Sequence, residues 1–358
     1  MPGRPTTATA LPRQVLARAR GAVRLAIQHA GSPLKLLSNL VLRASHALHL
    51  TKVPVLPSAL DIEPNNYCNF RCQHCQVTHW SKPHVDMTLD RLASILDSVP
   101  SLLSVKLQGM GEPLLNRDLL PMLAAVEARG ISTSLITNGS VMSDAVCSGL
   151  LGLSGQITFS IDGASAEVFE ASRAGGSFAK VAQNVKKLTS ARKGRTPMLE
   201  AWTVVTRHNW TNLADIVRLV SSLGLDHLTL QLLLTGWGKS QMESVVSPLR
   251  VFGDPRLDQE LAKVRLVAAE LGLALRVTSD HLYSREQKCG WPWRSAYIAS
   301  NGDVVPCCVL ADSETVTMGN VFAQSFRSIW NSQSYRDLRM RIRKHQLPDS
   351  CRSCYADP

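Results

Sequence analysis

The sequence predicts an α/β fold: successive βα units around a parallel sheet, preceded by a basic helical extension and followed by a small cysteine-rich domain. Three observations predict it. From residue 59 onward short apolar runs alternate with helical stretches. Ahead of them lie two helical patterns separated by Gly31-Ser32-Pro33, and behind them residues 289–358 hold five of the nine cysteines. The expected divisions are 1–58, 59–240, a linker with a helix and a strand over 241–288, and 289–358.

Taken in order, Pro12 to His29 and Pro33 to His49 read as helices, with Val15, Leu16, Val23 and Ile27 near one face of the first. Six apolar runs follow as strands: Ala59 to Glu63, Ser104 to Gln108, Ser132 to Thr137, Gln156 to Ile161, Met198 to Val205 and His227 to Leu233. Between them, helical periodicity covers stretches near Leu89 to Val99, Leu120 to Arg129, Ser143 to Leu151, Phe178 to Ala191 and Asn212 to Leu223. Beyond Cys289, Ser300-Asn301-Gly302-Asp303 reads as a hairpin turn between Ala296 to Ala299 and Val304 to Pro306. Ser325 to Lys344 reads as helical.

A chain of 358 residues with 45% apolar side chains buries a full-sized core. Nine cysteines without a secretory signal point to a reducing compartment, the cytoplasm, where thiols serve metals rather than disulfides. No run of 18 apolar residues is present, which excludes an ordinary spanning helix. The net charge of +11 is uneven: residues 1–60 contain eight Lys or Arg and no acid, leaving 31 basic against 28 acidic residues elsewhere. Such a segment suits an anionic membrane surface, an acidic partner, an organelle-targeting role or simple packing on the body. Nucleic acid is not expected as a partner, since no binding motif accompanies the charge.

Cys68, Cys72 and Cys75 form C-x₃-C-x₂-C on the loop after the first strand. Three thiolates hold three irons of a 4Fe–4S cluster and leave the fourth open to an exogenous ligand. A zinc site would more naturally pair separated C-x₂-C units, and a disulfide framework belongs to short secreted chains. The run resembles the signature of the radical S-adenosylmethionine (radical SAM) superfamily. That resemblance implies a partial (β/α)₆ barrel, S-adenosylmethionine chelated to the open iron, and reductive cleavage to a 5′-deoxyadenosyl radical.

Further elements agree with the resemblance in chain order. Gln108-Gly109-Met110-Gly111-Glu112-Pro113 after the second strand resembles the family's GGEP element, with Gly111 giving close backbone approach and Glu112 accepting from the cofactor's ammonium. Ser160 and Asp162, in Ser160-Ile161-Asp162-Gly163, end the fourth strand where ribose hydroxyls are expected. Asn138 and Arg173 are further candidates for cofactor contact, Arg173 for carboxylate or ribose. His74 stands where the motif commonly places an aromatic ring against adenine.

In the carboxy-terminal part, Cys289, Cys307, Cys351 and Cys354 are enough to saturate one auxiliary 4Fe–4S cluster, or to hold a tetrahedral zinc. Cys289 through Gly302 to Cys307 spells C-x₁₂-G-x₄-C, similar to the opening of the SPASM domain found in radical SAM proteins. Cys147, in an apolar helix, reads as a small buried side chain. Cys308 reads as a core thiol, a replacement ligand or a hydrogen-atom donor.

The resemblance implies hydrogen abstraction from a carbon of a carbohydrate-like or peptide substrate, with electrons from a donor such as flavodoxin or ferredoxin. Oxidation is the first expectation and epimerisation with Cys308 as donor the second. A non-enzymatic iron–sulfur electron carrier is the third, although a carrier needs no nucleoside pocket. The protein is expected in the cytoplasm, free or peripheral to a membrane through residues 1–58.

Overall fold

The structure is a computed structural model describing residues 32–279, 281–284 and 286–355. The expected helix Pro12 to His29 lies outside the described residues. All six expected strands form: β1 (Ala59–Ile62), β2 (Ser104–Leu107), β3 (Ser132–Thr137), β4 (Gln156–Ser160), β5 (Met198–Val204) and β6 (His227–Gln231). They pair in parallel in chain order.

The sheet then grows at both ends, which local sequence did not announce. β7 (Ala274–Val277) adds parallel to β6, so the linker's strand extends the barrel. At the other edge β8 (Ser295–Ile298) lies parallel to β1, and β9 (Asp303–Val305) and β10 (Gly319–Asn320) continue antiparallel. The expected hairpin is therefore real, but its first strand joins the main sheet. The order is β10-β9-β8-β1-β2-β3-β4-β5-β6-β7.

Side chains alternate across a strand, so the register sorts the two faces. Leu60, Ile62, Val105 and Leu107 face outward and join one core with Leu92, Ile95 and Leu96 of the helix Leu89–Ser98 and Met122 and Val126 of Leu119–Ala128. Each such burial stabilises by roughly 1.5–3 kcal/mol. The other face brings Asp61, Lys106 and Tyr297 abreast. That face is polar because it lines the barrel's hollow.

Helix starts follow from short polar caps. Thr88, Ser143, Ser165, Ser177, Ser325 and Ser332 each accept from a backbone N–H in the first turn, a bond worth about 1 kcal/mol. The last two correct the reading of Ser325 to Lys344 as one helix. Ser332 starts a second helix, so Phe326–Trp330 and Gln333–Arg343 are separate.

The carboxy-terminal helices clasp the segment entering the barrel. Trp293 Nε1 donates to Leu50 O (2.7 Å), Trp330 Nε1 to Val55 O (3.0 Å) and Asn331 Nδ2 to Val53 O (2.9 Å). Fully buried Arg339 donates to Pro292 O, Thr51 O and Trp330 O and lies over the Trp330 ring, joining three chain segments. No described helix is long and apolar enough to cross a membrane.

Candidate active site and auxiliary cluster site

The cysteine loop leaves the carboxyl end of β1, where parallel α/β sheets place their chemistry. Arg71 N donates to Ala174 O (2.7 Å), tying it to the loop 172–177. Gly175 there has φ +85°, and a Cβ on Gly176 would meet the Phe70 ring at 2.8 Å. Glycine is what lets this second loop press against the first.

Cys68, Cys72 and Cys75 share one neighbourhood. Burial, reinforced by their mutual charge, pushes the Cys68 thiol up to about 11 and Cys75 to about 12, and Cys72 upward as well. Beside them sits Arg173, its Nη2 2.8 Å from Asp162 Oδ2 and its Nη1 3.9 Å from Cys72 Sγ. Its Nε is buried with no hydrogen-bond partner among the described residues. A buried guanidinium beside the thiols, with one N–H unpartnered, fits an anionic iron–sulfur cluster held by thiolates, and metal binding supplies the drive to deprotonate them.

The remaining expected residues surround this trio. Asn138 Nδ2 lies 3.7 Å from Cys68 Sγ and donates to Asn69 Oδ1 (3.0 Å). Glu112 Oε1 accepts from Thr137 Oγ1 (2.6 Å) and Leu114 N (3.1 Å), and its Oε2 from Asn138 N (2.7 Å). Three of about four lone-pair positions are thus used within the protein, leaving one for an incoming ammonium. A Cβ on Gly111 would lie 2.4 Å from Asn65 O, so this loop too requires glycine. Asp162 is engaged by Arg173 and by Val204 N (2.8 Å), while Ser160 ends β4 half-buried. Burial holds the His74 imidazole down to about 4, partly countered by Asp162, so the ring is neutral near pH 7.

Two residues that sequence reasoning passed over belong here. Glu63, fully buried, accepts from Met110 N (2.9 Å), Tyr297 Oη (2.9 Å) and Ser300 N and Oγ (both 3.0 Å). It joins the glycine loop after β2 to the hairpin that ends at Cys307. The signal was Asp61 and Glu63 two apart on a strand, hence on one face. Trp237, at φ +57°, donates from Nε1 to His74 O (3.3 Å) on the cysteine loop; no local pattern marks it.

The auxiliary site is built separately. Cys289, Cys307, Cys351 and Cys354 line a single cavity with Trp291, Pro306, Leu338 and Tyr355 among its walls. Among the described residues no three His, Cys, Asp or Glu side chains are arranged around a single-ion position. The four thiols share one space, and four thiolates are what one 4Fe–4S cluster requires. Cys289 N donates to Tyr355 Oη (2.9 Å), and Leu282 N and Tyr283 N donate to Cys354 O, fixing the rim.

Cys308 does not line that cavity. It packs with Met110 against Tyr297, Ala299, Val305 and Ala311, and burial pushes its thiol up to about 12, with Asp61 contributing. Cys147 is buried in its helix, as expected.

Residues 62–220 match the family described as Radical SAM superfamily, and residues 289–355 match SPASM, an iron–sulfur cluster-binding domain. The chain belongs to the radical SAM superfamily. It is a radical SAM enzyme whose cofactors are S-adenosylmethionine, the 4Fe–4S cluster that binds it, and an auxiliary cluster in the SPASM domain. Among curated proteins it is similar to a tungsten-containing aldehyde ferredoxin oxidoreductase cofactor-modifying protein of Pyrococcus furiosus, 27% identical over 82% of this chain and 86% of that protein. It is also similar to a PqqA peptide cyclase of Gluconobacter oxydans, 26% identical over 84% of each chain. The fold is that of Streptococcus suis SuiB bound to S-adenosylmethionine, with TM-score 0.66, 17% identity, and coverage of 83% of this chain and 71% of that one.

Proposed function

We propose that this radical SAM enzyme modifies a peptide-like substrate, with Cys68, Cys72 and Cys75 holding the SAM-binding cluster and Cys289, Cys307, Cys351 and Cys354 the auxiliary one. The observation that carries it is two separate thiol sets, a trio beside Arg173 and a quartet lining one cavity, with Glu63 bonding the glycine loop near the first to the hairpin that leads to Cys307 of the second. Similarity to a PqqA peptide cyclase supports the peptide half of the substrate expectation over the carbohydrate half.

When bound, the cluster and S-adenosylmethionine supply a carbon radical that abstracts hydrogen. The chain's own residues orient and enclose. Glu112 offers its free lone pair to the cofactor's ammonium, Asn138 holds the ground beside Cys68, and neutral His74 presents a flat, uncharged ring. Asp162 keeps Arg173 aimed at the thiols. Trp237 holds the His74 backbone, and Asp61, Lys106 and Tyr297 offer polar groups along the hollow. An electron donor of the flavodoxin or ferredoxin type completes the proposal.

A second reading, epimerisation with Cys308 as hydrogen donor, is favoured by the position of Cys308 beside Met110 and outside the four-thiol cavity. One experiment tests both. Anaerobically reconstituted enzyme, dithionite and S-adenosylmethionine are incubated with deuterated peptide and sugar pools, and 5′-deoxyadenosine is examined for deuterium. Transfer from peptide is expected; transfer from sugar alone overturns the substrate class, and no 5′-deoxyadenosine at all favours an electron carrier. Cys308→Ala retains both cofactor cleavage and product under the oxidative reading, and loses only product under the epimerase reading.

A further inference from the structure

The helix Pro33–Ala47 is fixed to the body by one side only. Leu42 and Ser45 are buried, and His46 packs on Trp293 with ring centroids 5.4 Å apart while its Nε2 meets Lys288 O at 3.1 Å. The opposite side carries Leu34, Leu37 and Leu40, and Leu48 just beyond the helix, at 77%, 57%, 63% and 67% exposure. Of the eleven exposed large apolar side chains among the described residues, five fall between Leu34 and Leu50. Scattered surface leucines need no explanation; a contiguous stripe on one helix does.

The fold gathers basic side chains from distant parts of the chain at the end of this helix. Burial first, then the nearby Lys288, His46, Arg343 and His345 side chains, depress the His49 imidazole. Those groups therefore crowd one neighbourhood at the end of the leucine helix. Arg43 and Ala44 share its exposed side, and Arg341, Arg343, Lys344 and His345 are exposed on and after the carboxy-terminal helix. The first 60 residues add eight cations and no acid. A leucine stripe with basic side chains gathered at its end is the pattern of a helix lying in a headgroup layer.

We propose that the Pro33–Ala47 face docks on an anionic lipid surface, with the leucines inserted at the headgroup boundary and the surrounding Lys and Arg side chains on lipid phosphates. Two other occupants fit the charge less well. A second copy of this face would bring the same cations together across a twofold axis. Residues 1–31 of this chain carry five arginines and would add positive charge to positive.

The test is vesicle flotation of the full-length, cluster-loaded protein. Co-flotation is expected with phosphatidylcholine–phosphatidylglycerol vesicles and not with phosphatidylcholine alone, with release at about 0.5 M salt, where charges are screened within a few ångströms. Leu37→Ser/Leu40→Ser lowers the bound fraction about tenfold or more, and Arg341→Gln/Arg343→Gln lowers it severalfold. Both variants keep wild-type 5′-deoxyadenosine formation, which shows that they fold. The proposal is overturned by absence of anionic-vesicle binding, by equal binding to both vesicles, or by a concentration-dependent dimer that the leucine changes dissolve. Unaltered binding of the leucine variant also overturns it, since contact then runs through another segment.

Discussion

Arg173 and Asp162 form a charge pair almost sealed from water, with side chains 9% and 1% exposed and 2.8 Å between Nη2 and Oδ2. At that separation the attraction is roughly 6 kcal/mol for an effective dielectric of about 20, most of it offset by desolvation of both ions. The large cost therefore appears when one partner is removed and the other is stranded. Arg173→Gln and Asp162→Asn should each destabilise by about 3–5 kcal/mol, whereas the double variant, which strands no charge, should lose about 2 kcal/mol less than the sum. Urea denaturation of the four anaerobic, iron-loaded proteins measures this. Additivity within about 0.5 kcal/mol, or single losses under about 1 kcal/mol, would refute the pairing argument. Because Arg173 also faces Cys72 at 3.9 Å, Arg173→Gln should lower retained iron, while Asp162→Asn should spare it more.

Two further outcomes follow from the site. Cys354→Ser should lower bound iron from about eight to about four atoms per chain while cofactor cleavage persists, and Cys75→Ser should lose a similar amount together with all cleavage; equal loss of cleavage in both contradicts the separation of the two thiol sets. Glu200, buried and paired with His227 Nδ1 at 2.9 Å, has its carboxyl held below the usual range because the His227 and Thr229 hydrogen bonds outweigh burial. Its stabilisation is therefore complete above the ordinary carboxylate value and fades as pH falls through the depressed one. Glu200→Gln should cost about 1–3 kcal/mol at pH 7, with the gap to wild type narrowing at pH 4 and below in paired urea titrations; a gap independent of pH removes the charge from the explanation.

By itself the sequence determined the elements whose causes are local. Apolar runs five to eight residues long became β1 to β6, serine and threonine caps set the helix starts, and C-x₃-C-x₂-C and Gly109-Met110-Gly111-Glu112 marked the loops where the site lies. Those features are legible because their physics acts over a few residues. The tertiary structure alone decided what depends on partners far along the chain. β8 could equally have been an edge strand of a detached hairpin; its pairing with β1 is set by Glu63 bonding Tyr297 and Ser300, more than two hundred residues away. Likewise only folding separates Cys308 from Cys307, its neighbour in sequence. Successive residues around a strand end point in different directions, so one thiol lines the auxiliary cavity and the other joins Met110 and Tyr297.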